Sequence, residues 1–268
     1  MPPTLEHAIA HSSDEGYITL IQAQTLASQH GCTLRDIEHQ ALKMGIIPLR
    51  YRRNQSTISP DGQLQLSQTH ILIIGTGGLG GHIAEMLCRI GIGRLTLYDR
   101  DHFEEHNLNR QNFCTLKTLG LPKATVVREA LLQIDPAIEI EAHHQQFDPQ
   151  RDLDAILAAD LIIDAVDDPV TKQALAERSL AHGKDFVHGA IGGLAGQVSS
   201  SSPLHALYRH SEAEGAEHLL GNPCYNVTLT AALQVSEAIK LILKIGEPLK
   251  GHCLVTDLLY NDFEILPL

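Results

Sequence analysis

A short apolar run that ends in a cluster of glycines constrains the fold of this chain more than any other segment. The run HILII occupies residues 70–74, and the glycines that follow it are Gly75, Gly77, Gly78 and Gly80. Such a β-branched run before glycine is typical of a buried parallel strand, and the next segment, GGHIAEMLCRIGIG, has helical spacing. A strand, a glycine turn and a helix predict a nucleotide site, because glycine lets a phosphate approach the backbone at the helix N-terminus.

Strands and helices alternate along most of the remaining chain. Strands are predicted in RLTLYD, AIEIEAH, LIIDAVDD and DFVHGA, and helices in GLPKATVVREALLQID and VTKQALAERSLAHG. This alternation predicts an α/β fold with a Rossmann-like, doubly wound and mostly parallel sheet. A polar crossover loop is expected at residues 203–222, then a long helix with Asn222 as N-cap and Pro223 in its first turn. CLVTDLL and FEILPL predict a C-terminal β-hairpin.

The first 48 residues have a different pattern. ITLIQAQTLASQHG and TLRDIEHQALKMG each have apolar residues at helical spacing and end at a glycine. Residues 1–48 are therefore predicted to form a small helical extension, and residues 49–268 a nucleotide-binding domain. The polar connector PLRYRRNQSTISPDGQ, residues 48–63, lies where the two meet. The two helices resemble a helix-turn-helix, but their few basic residues favour packing on the main domain or on a partner subunit.

Composition and charge narrow the class of protein. The 268 residues are 43% hydrophobic and carry a formal charge of −12, which suits a globular core and argues against nonspecific nucleic-acid binding. The sequence shows neither a secretory signal nor an apolar run of transmembrane length, so we expect a cytoplasmic protein that does not enter a membrane. The five cysteines form no CxxC pair, which favours neither a disulfide framework nor a zinc ribbon.

Several polar side chains are expected at the carboxyl edge of the predicted sheet. Asp99 ends the second strand, where a carboxylate can accept hydrogen bonds from ribose hydroxyls. The tract NLNRQ brings Asn107, Arg110 and Gln111 to the same edge, and Lys123 begins the next helix. Cations and amides at this position suit the charge that builds up on a pyrophosphate leaving group, and hydride transfer has no comparable demand. The cluster predicts cleavage of ATP between its α and β phosphates.

With these motifs, the sequence from Arg50 onwards resembles the ThiF/MoeB/HesA family, the bacterial relatives of the ubiquitin-activating enzymes. The motifs are G-x-G-G-L-G, Asp-x-Asp at 99 and 101, NLNRQ, GLPKA, DAVDD, GAIGGLAGQV and EAIKL. The resemblance implies an ATP- and Mg²⁺-dependent adenylyltransferase. Its partner would be a ubiquitin-like sulfur carrier protein that ends in Gly-Gly, and a separate donor would supply sulfur for molybdopterin, tungstopterin or thiamine biosynthesis.

The resemblance also implies roles for individual residues. It assigns Gly75, Gly77, Gly78, Gly80 and Asp99 to the adenosine part of ATP, and Asn107, Arg110, Gln111 and Lys123 to its phosphates. Asp167 matches the family's acid at the Mg²⁺ ion. Arg53 matches an arginine that the family inserts into the neighbouring subunit's site, which implies a homodimer. The implied catalytic residues are Arg53, Arg110, Lys123 and Asp167.

The sequence departs from the family in three places. SPLHALYRH and NDFEILPL replace the family's zinc-binding CxxC pairs, so no structural zinc is expected, and His205, His210 and His218 remain an alternative metal cluster. Asp-Asp at 167–168 replaces a common Asp-Asn pair, which leaves the metal ligand open between the two carboxylates. No cysteine lies in the expected crossover loop, and Cys224, which begins the late helix, is expected to pack rather than react.

Two other functions stay open from the sequence alone. The same glycine turn would serve an NAD(P)-dependent oxidoreductase, and a degenerate site would serve a nucleotide-binding regulator that uses its N-terminal helices. The sequence identifies neither the carrier protein nor its pathway, and it leaves open whether a thioester forms.

Overall fold

The N-terminal part of the chain folds around a core of its own in the computed structural model, which describes residues 4–208 and 219–268. Its elements are α1 (Leu5–Ser12), β1 (Tyr17–Ile18), α2 (Leu20–His30), α3 (Leu34–Lys43) and β2 (Ile47–Pro48). Thr19 and Thr33 begin α2 and α3 with reciprocal capping boxes. The two predicted helices are therefore present, and α1 and the parallel pair β1–β2 accompany them.

The expected polar connector is helical over much of its length. Leu49–Asn54 forms a 3₁₀ helix, and α4 (Pro60–Gln68) follows it. The Ser59 side chain accepts a hydrogen bond from the first turn of α4, and Leu66 is buried against the main core. The segment therefore packs on the sheet instead of merely joining two units.

The main sheet has eight strands, five of them parallel, and confirms the predicted fold class. They are β3 (His70–Ile74), β4 (Arg94–Tyr98), β5 (Glu139–His143), β6 (Leu161–Asp164), β7 (Asp185–Gly192), β8 (Ala195–Ser200), β9 (His252–Asp257) and β10 (Asp262–Pro267). Their order across the sheet is β10-β9-β8-β7-β6-β3-β4-β5, with β8, β9 and β10 antiparallel to their neighbours. The predicted hairpin is β9–β10, whereas β8 was not predicted.

Helices cover both faces of this sheet. They are α5 (Gly78–Ile90), α6 (Lys123–Leu132), α7 (Leu153–Ala158), α8 (Pro169–Ala181) and α9 (Cys224–Leu243). The apolar faces of α4, α5, α6 and α9 pack on one side, and those of α7 and α8 pack on the other. In the described part of the chain, no helix is both long and apolar enough to cross a membrane.

The start of α9 differs from the prediction. Asn222 was expected as its N-cap, but Pro223 holds that position with an extended backbone, and no side chain caps the helix. Asn222 therefore lies one residue too early to cap α9, and its carbonyl accepts a hydrogen bond from Asn109 instead. Of the expected crossover loop at 203–222, residues 209–218, with His210 and His218, lie outside the described residues.

The direction of the chain across the sheet reverses between β3 and β6. From β3 the chain continues outwards through β4 and β5, and β6 lies on the other side of β3 and pairs with β7. In open α/β sheets, ligands bind outside the carboxyl ends of the strands at such a switch point. The residues that follow β3, β4 and β6 are therefore placed to form a site.

A buried ion pair lies directly beneath this switch point. Asp164 ends β6 and is fully buried, with its carboxylate 3.1 Å from Lys172 Nζ and 2.7 Å from His188 Nδ1. Burial by itself would raise the pKa of Asp164, but Lys172 and His188 together lower it. The ion pair therefore stabilises the folded state fully above the ordinary pKa of an aspartate. This stabilisation is lost as the pH falls through the lower pKa that Asp164 has in the folded state.

Lys172→Met should lower the free energy of unfolding by about 3–5 kcal/mol, because Asp164 would keep a buried charge without a cation. Urea denaturation measures this loss. The matched control is Lys250→Met, since Lys250 pairs with Asp185 at 3.0 Å but is about half exposed. That control should lose no more than about 1 kcal/mol. Equal losses in the two variants would contradict the prediction that the buried ion pair contributes more to stability than the exposed one.

Candidate active site

A cleft of about 620 Å³ opens at the switch point, a volume that suits a nucleotide-sized ligand. Nine of the residues predicted from the sequence line it: Gly75, Gly77, Gly78, Asp99, Asn107, Arg110, Gln111, Lys123 and Asp167. They follow three different strands, so the sheet brings together groups that are far apart in the sequence. Gly80 and Arg53 are not among the lining residues.

The glycine turn at the end of β3 is packed too tightly for a side chain at two of its positions, Gly75 and Gly80. Gly75 has a φ of +89°, and a Cβ there would lie 2.5 Å from the carbonyl oxygen of Ala165. A Cβ at Gly80 would lie 1.9 Å from the carbonyl oxygen of Gly75, so Gly80 allows α5 to pack against the turn. Gly77 begins α5 without a side-chain cap, which leaves the first N–H groups of the helix available to an anion.

Asp99 shapes the turn as well as lining the cleft. One carboxylate oxygen accepts hydrogen bonds from Thr76 N at 2.7 Å and Thr76 Oγ1 at 3.0 Å, and the other accepts one from Asp101 N at 2.9 Å. Each oxygen has two lone pairs, so the oxygen bound to Asp101 can still accept a bond from a ligand hydroxyl. Sequence reasoning gave Asp99 only the ribose role, although the threonine within the glycine turn was a signal for the second one.

Two cations line the cleft, Lys123 and Arg110. Lys123 is only 7% exposed, and its Nζ lies 3.3 Å from the carboxylate of Asp101, which is largely in solvent. Arg110 donates from Nη1 to the carbonyl of His106 at 3.0 Å and to Asn109 Oδ1 at 2.9 Å. Within the described residues Arg110 forms no ion pair, so its charge is open to an anionic ligand.

The two predicted amide side chains differ in what they contact. Asn107 is buried, and its Oδ1 accepts a hydrogen bond from the backbone N–H of Glu104 at 3.0 Å, which fixes the loop after β4. Gln111 lies against Gly77, and its Oε1 is buried without a hydrogen-bond partner in the part of the chain that the structure describes. Burying a polar atom without a hydrogen-bond partner costs free energy, so Gln111 is suited to bind a ligand that supplies the missing partner.

The adjacent acids after β6 have different surroundings. The Asp168 carboxylate caps α8 and accepts hydrogen bonds from Thr171 N at 2.7 Å and Thr171 Oγ1 at 2.5 Å. Burial opposes its ionisation, but these bonds lower the pKa of Asp168. Asp167 lies exposed in the cleft. An exposed carboxylate that faces the phosphates of a bound nucleotide is a type of group that can hold Mg²⁺.

Other predicted residues lie away from the cleft. Arg53 is exposed on the 3₁₀ helix Leu49–Asn54, and His205 is exposed in the described first part of the expected crossover loop. The expectation that Cys224 packs was wrong, because it is exposed on the uncapped first turn of α9. No group of three or more His, Cys, Asp or Glu side chains in residues 4–208 and 219–268 is arranged to hold a metal ion.

An aromatic wall of the cleft was missed by sequence reasoning. Tyr98 and Phe147 line it, with ring centroids 4.9 Å apart in an edge-to-face arrangement. Tyr98 ends β4, but Phe147 lies in a loop beyond β5 that carries no motif. Only the fold brings the two rings together.

Gly80→Ala should lower the free energy of unfolding by about 3 kcal/mol or more, because the new Cβ would overlap a backbone oxygen that cannot move independently of the turn. Gly78→Ala is the matched control in the same turn. There the nearest atom would be Val227 Cγ1 at 3.2 Å, and a change below about 1 kcal/mol is expected. Thermal unfolding of both variants would measure the difference, and an equally stable Gly80→Ala variant would contradict the packing argument.

Comparison with known proteins supports the family resemblance that these motifs indicate. The sequence pattern of the ThiF family matches residues 51–268. The sulfur carrier protein adenylyltransferase of Thermus thermophilus is 29% identical over 81% of this chain and 86% of its own length. The probable adenylyltransferase/sulfurtransferase MoeZ of Mycobacterium tuberculosis is 32% identical over 77% of this chain, which spans 56% of that longer protein.

A solved structure shows the same fold. The crystal structure of E. coli MccB with ATP matches with a TM-score of 0.69 at 19% identity, and the match covers 98% of this chain and 86% of that chain. At this level of identity the likeness concerns the fold alone.

Proposed function

The chain belongs to the ThiF family, and we propose that it is an ATP-dependent adenylyltransferase that activates the C-terminal glycine carboxylate of a ubiquitin-like sulfur carrier protein. The observation that carries this proposal is the meeting of Lys123, Arg110 and the glycine turn in one cleft. Two cations beside a helix N-terminus suit a triphosphate that breaks at its α phosphorus. Nothing in hydride transfer requires them.

The proposed reaction needs little from the protein beyond position and charge. A carboxylate oxygen of the carrier attacks the α phosphorus of ATP, the bond from that phosphorus to the bridging oxygen breaks, and pyrophosphate leaves. The products are an acyl adenylate and pyrophosphate. No general base is needed, because a C-terminal carboxylate is already ionised at pH 7. Catalysis comes from alignment of the two reactants and from neutralisation of the leaving group.

Lys123 is suited to neutralise the leaving group. Its Nζ pairs with the carboxylate of Asp101, whose exposure lets water replace the lysine at small cost. Phosphate oxygens would then take the place of Asp101 around the ammonium group. Arg110 would contact the same phosphates from the NLNRQ loop, and the first turn of α5 would bind them through its N–H groups.

Mg²⁺ would neutralise part of the triphosphate charge when it is bound. We propose Asp167 as its ligand, because Asp167 matches the family's acid at the Mg²⁺ ion and lies exposed in the cleft. We further propose a cytoplasmic homodimer in which Arg53 enters the partner's cleft, a separate sulfur donor, and no structural zinc.

Lys123→Ala should lower the rate of ATP–pyrophosphate exchange at least about 10²-fold, since one charged contact in a site that excludes water is worth about 2.7–4 kcal/mol. The assay needs a candidate carrier that ends in Gly-Gly. ATP binding should weaken less, because the breaking bond carries less charge in the ground state. Lys117→Ala is the control, an exposed lysine that does not line the cleft, and it should change neither value. NAD binding without ATP-dependent exchange would contradict the proposal.

Mixing inactive Arg53→Ala and Lys123→Ala protomers should restore activity. In the mixed dimer one site keeps its own Lys123 and receives Arg53 from the other protomer, so up to about half of the wild-type dimer's rate is expected if the sites are independent. The exchange assay measures the recovered rate, and mass spectrometry confirms subunit exchange. Exchange of subunits without any recovery would contradict action of Arg53 across the interface.

A further inference from the structure

The segment that carries Arg53 is anchored at its start by a buried group of charges. We call Leu49–Asn54 the arginine turn. Arg50 donates from Nη1 to Glu38 Oε1 at 2.7 Å and from Nη2 to Asp135 Oδ1 at 2.8 Å. Both carboxylates are almost fully buried, and the Tyr51 hydroxyl donates a hydrogen bond to Asp135 as well. Arg50 thus joins α3 of the N-terminal extension to the loop that follows α6.

The arginine turn is also anchored at its end. Asn54 donates from Nδ2 to Gln63 Oε1 at 3.3 Å and to the carbonyl of Ile90 at 3.4 Å. Between these two anchors, Arg53 is exposed and forms no ion pair with the described residues. The backbone on either side of Arg53 is therefore fixed, while its guanidinium is available to another molecule.

These contacts fix the position of the arginine turn more than they stabilise the fold. A buried ion pair loses in desolvation much of what it gains in attraction, so Arg50, Glu38 and Asp135 add little net stability compared with apolar residues. The forked contact of a guanidinium with a carboxylate does fix orientation. A catalytic group that is displaced by about 1 Å can lose about 10²-fold in rate.

We propose that Glu38, Arg50 and Asp135 are positioning residues that hold the arginine turn, so that Arg53 reaches the partner's cleft in an ordered position. The N-terminal extension then contributes to adenylation through Glu38. This inference rests on the proposed role of Arg53 across the dimer.

The test places one substitution, Glu38→Gln, on either protomer of the mixed dimer described above. On the Lys123→Ala protomer it disturbs the turn that donates the working Arg53, and the recovered exchange rate should fall at least about tenfold. On the Arg53→Ala protomer it disturbs a turn without its arginine, and the recovered rate should not change. A merely structural role of Glu38 would lower both rates equally.

Two further variants keep the result interpretable. Asp135→Asn approaches the same anchor from the main domain, and should show the same dependence on its protomer if Glu38→Gln does not fold. Arg35→Ala is the matched control, because Arg35 also joins the extension to the main domain, through Glu139 at 3.4 Å and the carbonyl of Gly93, but among the described residues forms no hydrogen bond or ion pair with the arginine turn. It should leave both rates unchanged.

Each outcome bears on a different claim. If the original mixture recovers activity and Glu38→Gln or Asp135→Asn has equal effects on both protomers, or none, the positioning role is wrong. If the original mixture recovers nothing although subunits exchange, the role of Arg53 across the interface is wrong, and the inference falls with it. A loss confined to the protomer that donates Arg53 supports the proposal.

Discussion

The buried carboxylate of Asp164 is the constraint on which the cleft depends. A fully buried charge must keep its cation and hydrogen-bond donor, so β6, α8 and β7 have to meet where Lys172 and His188 reach it. The same carboxylate accepts a hydrogen bond from Val166 N at 3.1 Å, which sets the course of the loop to Asp167. Ala165, in that loop, lies against Gly75. Asp164 therefore helps to position both the glycine turn and the loop that leads to Asp167.

The cleft shows how a chain with a formal charge of −12 can bind a polyanion. At long range the protein repels a triphosphate, so attraction must come from groups within a few ångströms. In the proposed function Lys123 and Arg110 would provide it, with the helix N-terminus after Gly77. Asp101 balances the charge of Lys123, and binding of a triphosphate would exchange one anionic partner for another. A buried lysine is thus never left without a counter-charge.

Much of the fold and of the cleft could be predicted because both depend on local sequence patterns. The apolar runs gave the parallel strands, and the polar residues that follow them had to meet at one edge. Patterns of this kind did not reveal β8, which is rich in serine and glycine, or the helices of the connector. Nor could they show that Asp168 caps α8, because the cap depends on where that helix begins. The contacts of Glu38 with Arg50 and of Arg50 with Asp135 are tertiary.

The separate core of the N-terminal extension has a consequence for the response of the protein to heat. Ile9, Ile18 and Ile37 pack with one another and not with the core of the sheet, so this part of the chain can open locally while the sheet stays folded. Opening it would separate Glu38 from Arg50 without unfolding the strands that form the cleft. If Glu38 positions Arg53 as proposed, we expect the catalytic rate to be lost at a lower temperature than nucleotide binding, so that the first effect of heat is an enzyme that still binds ATP but reacts slowly.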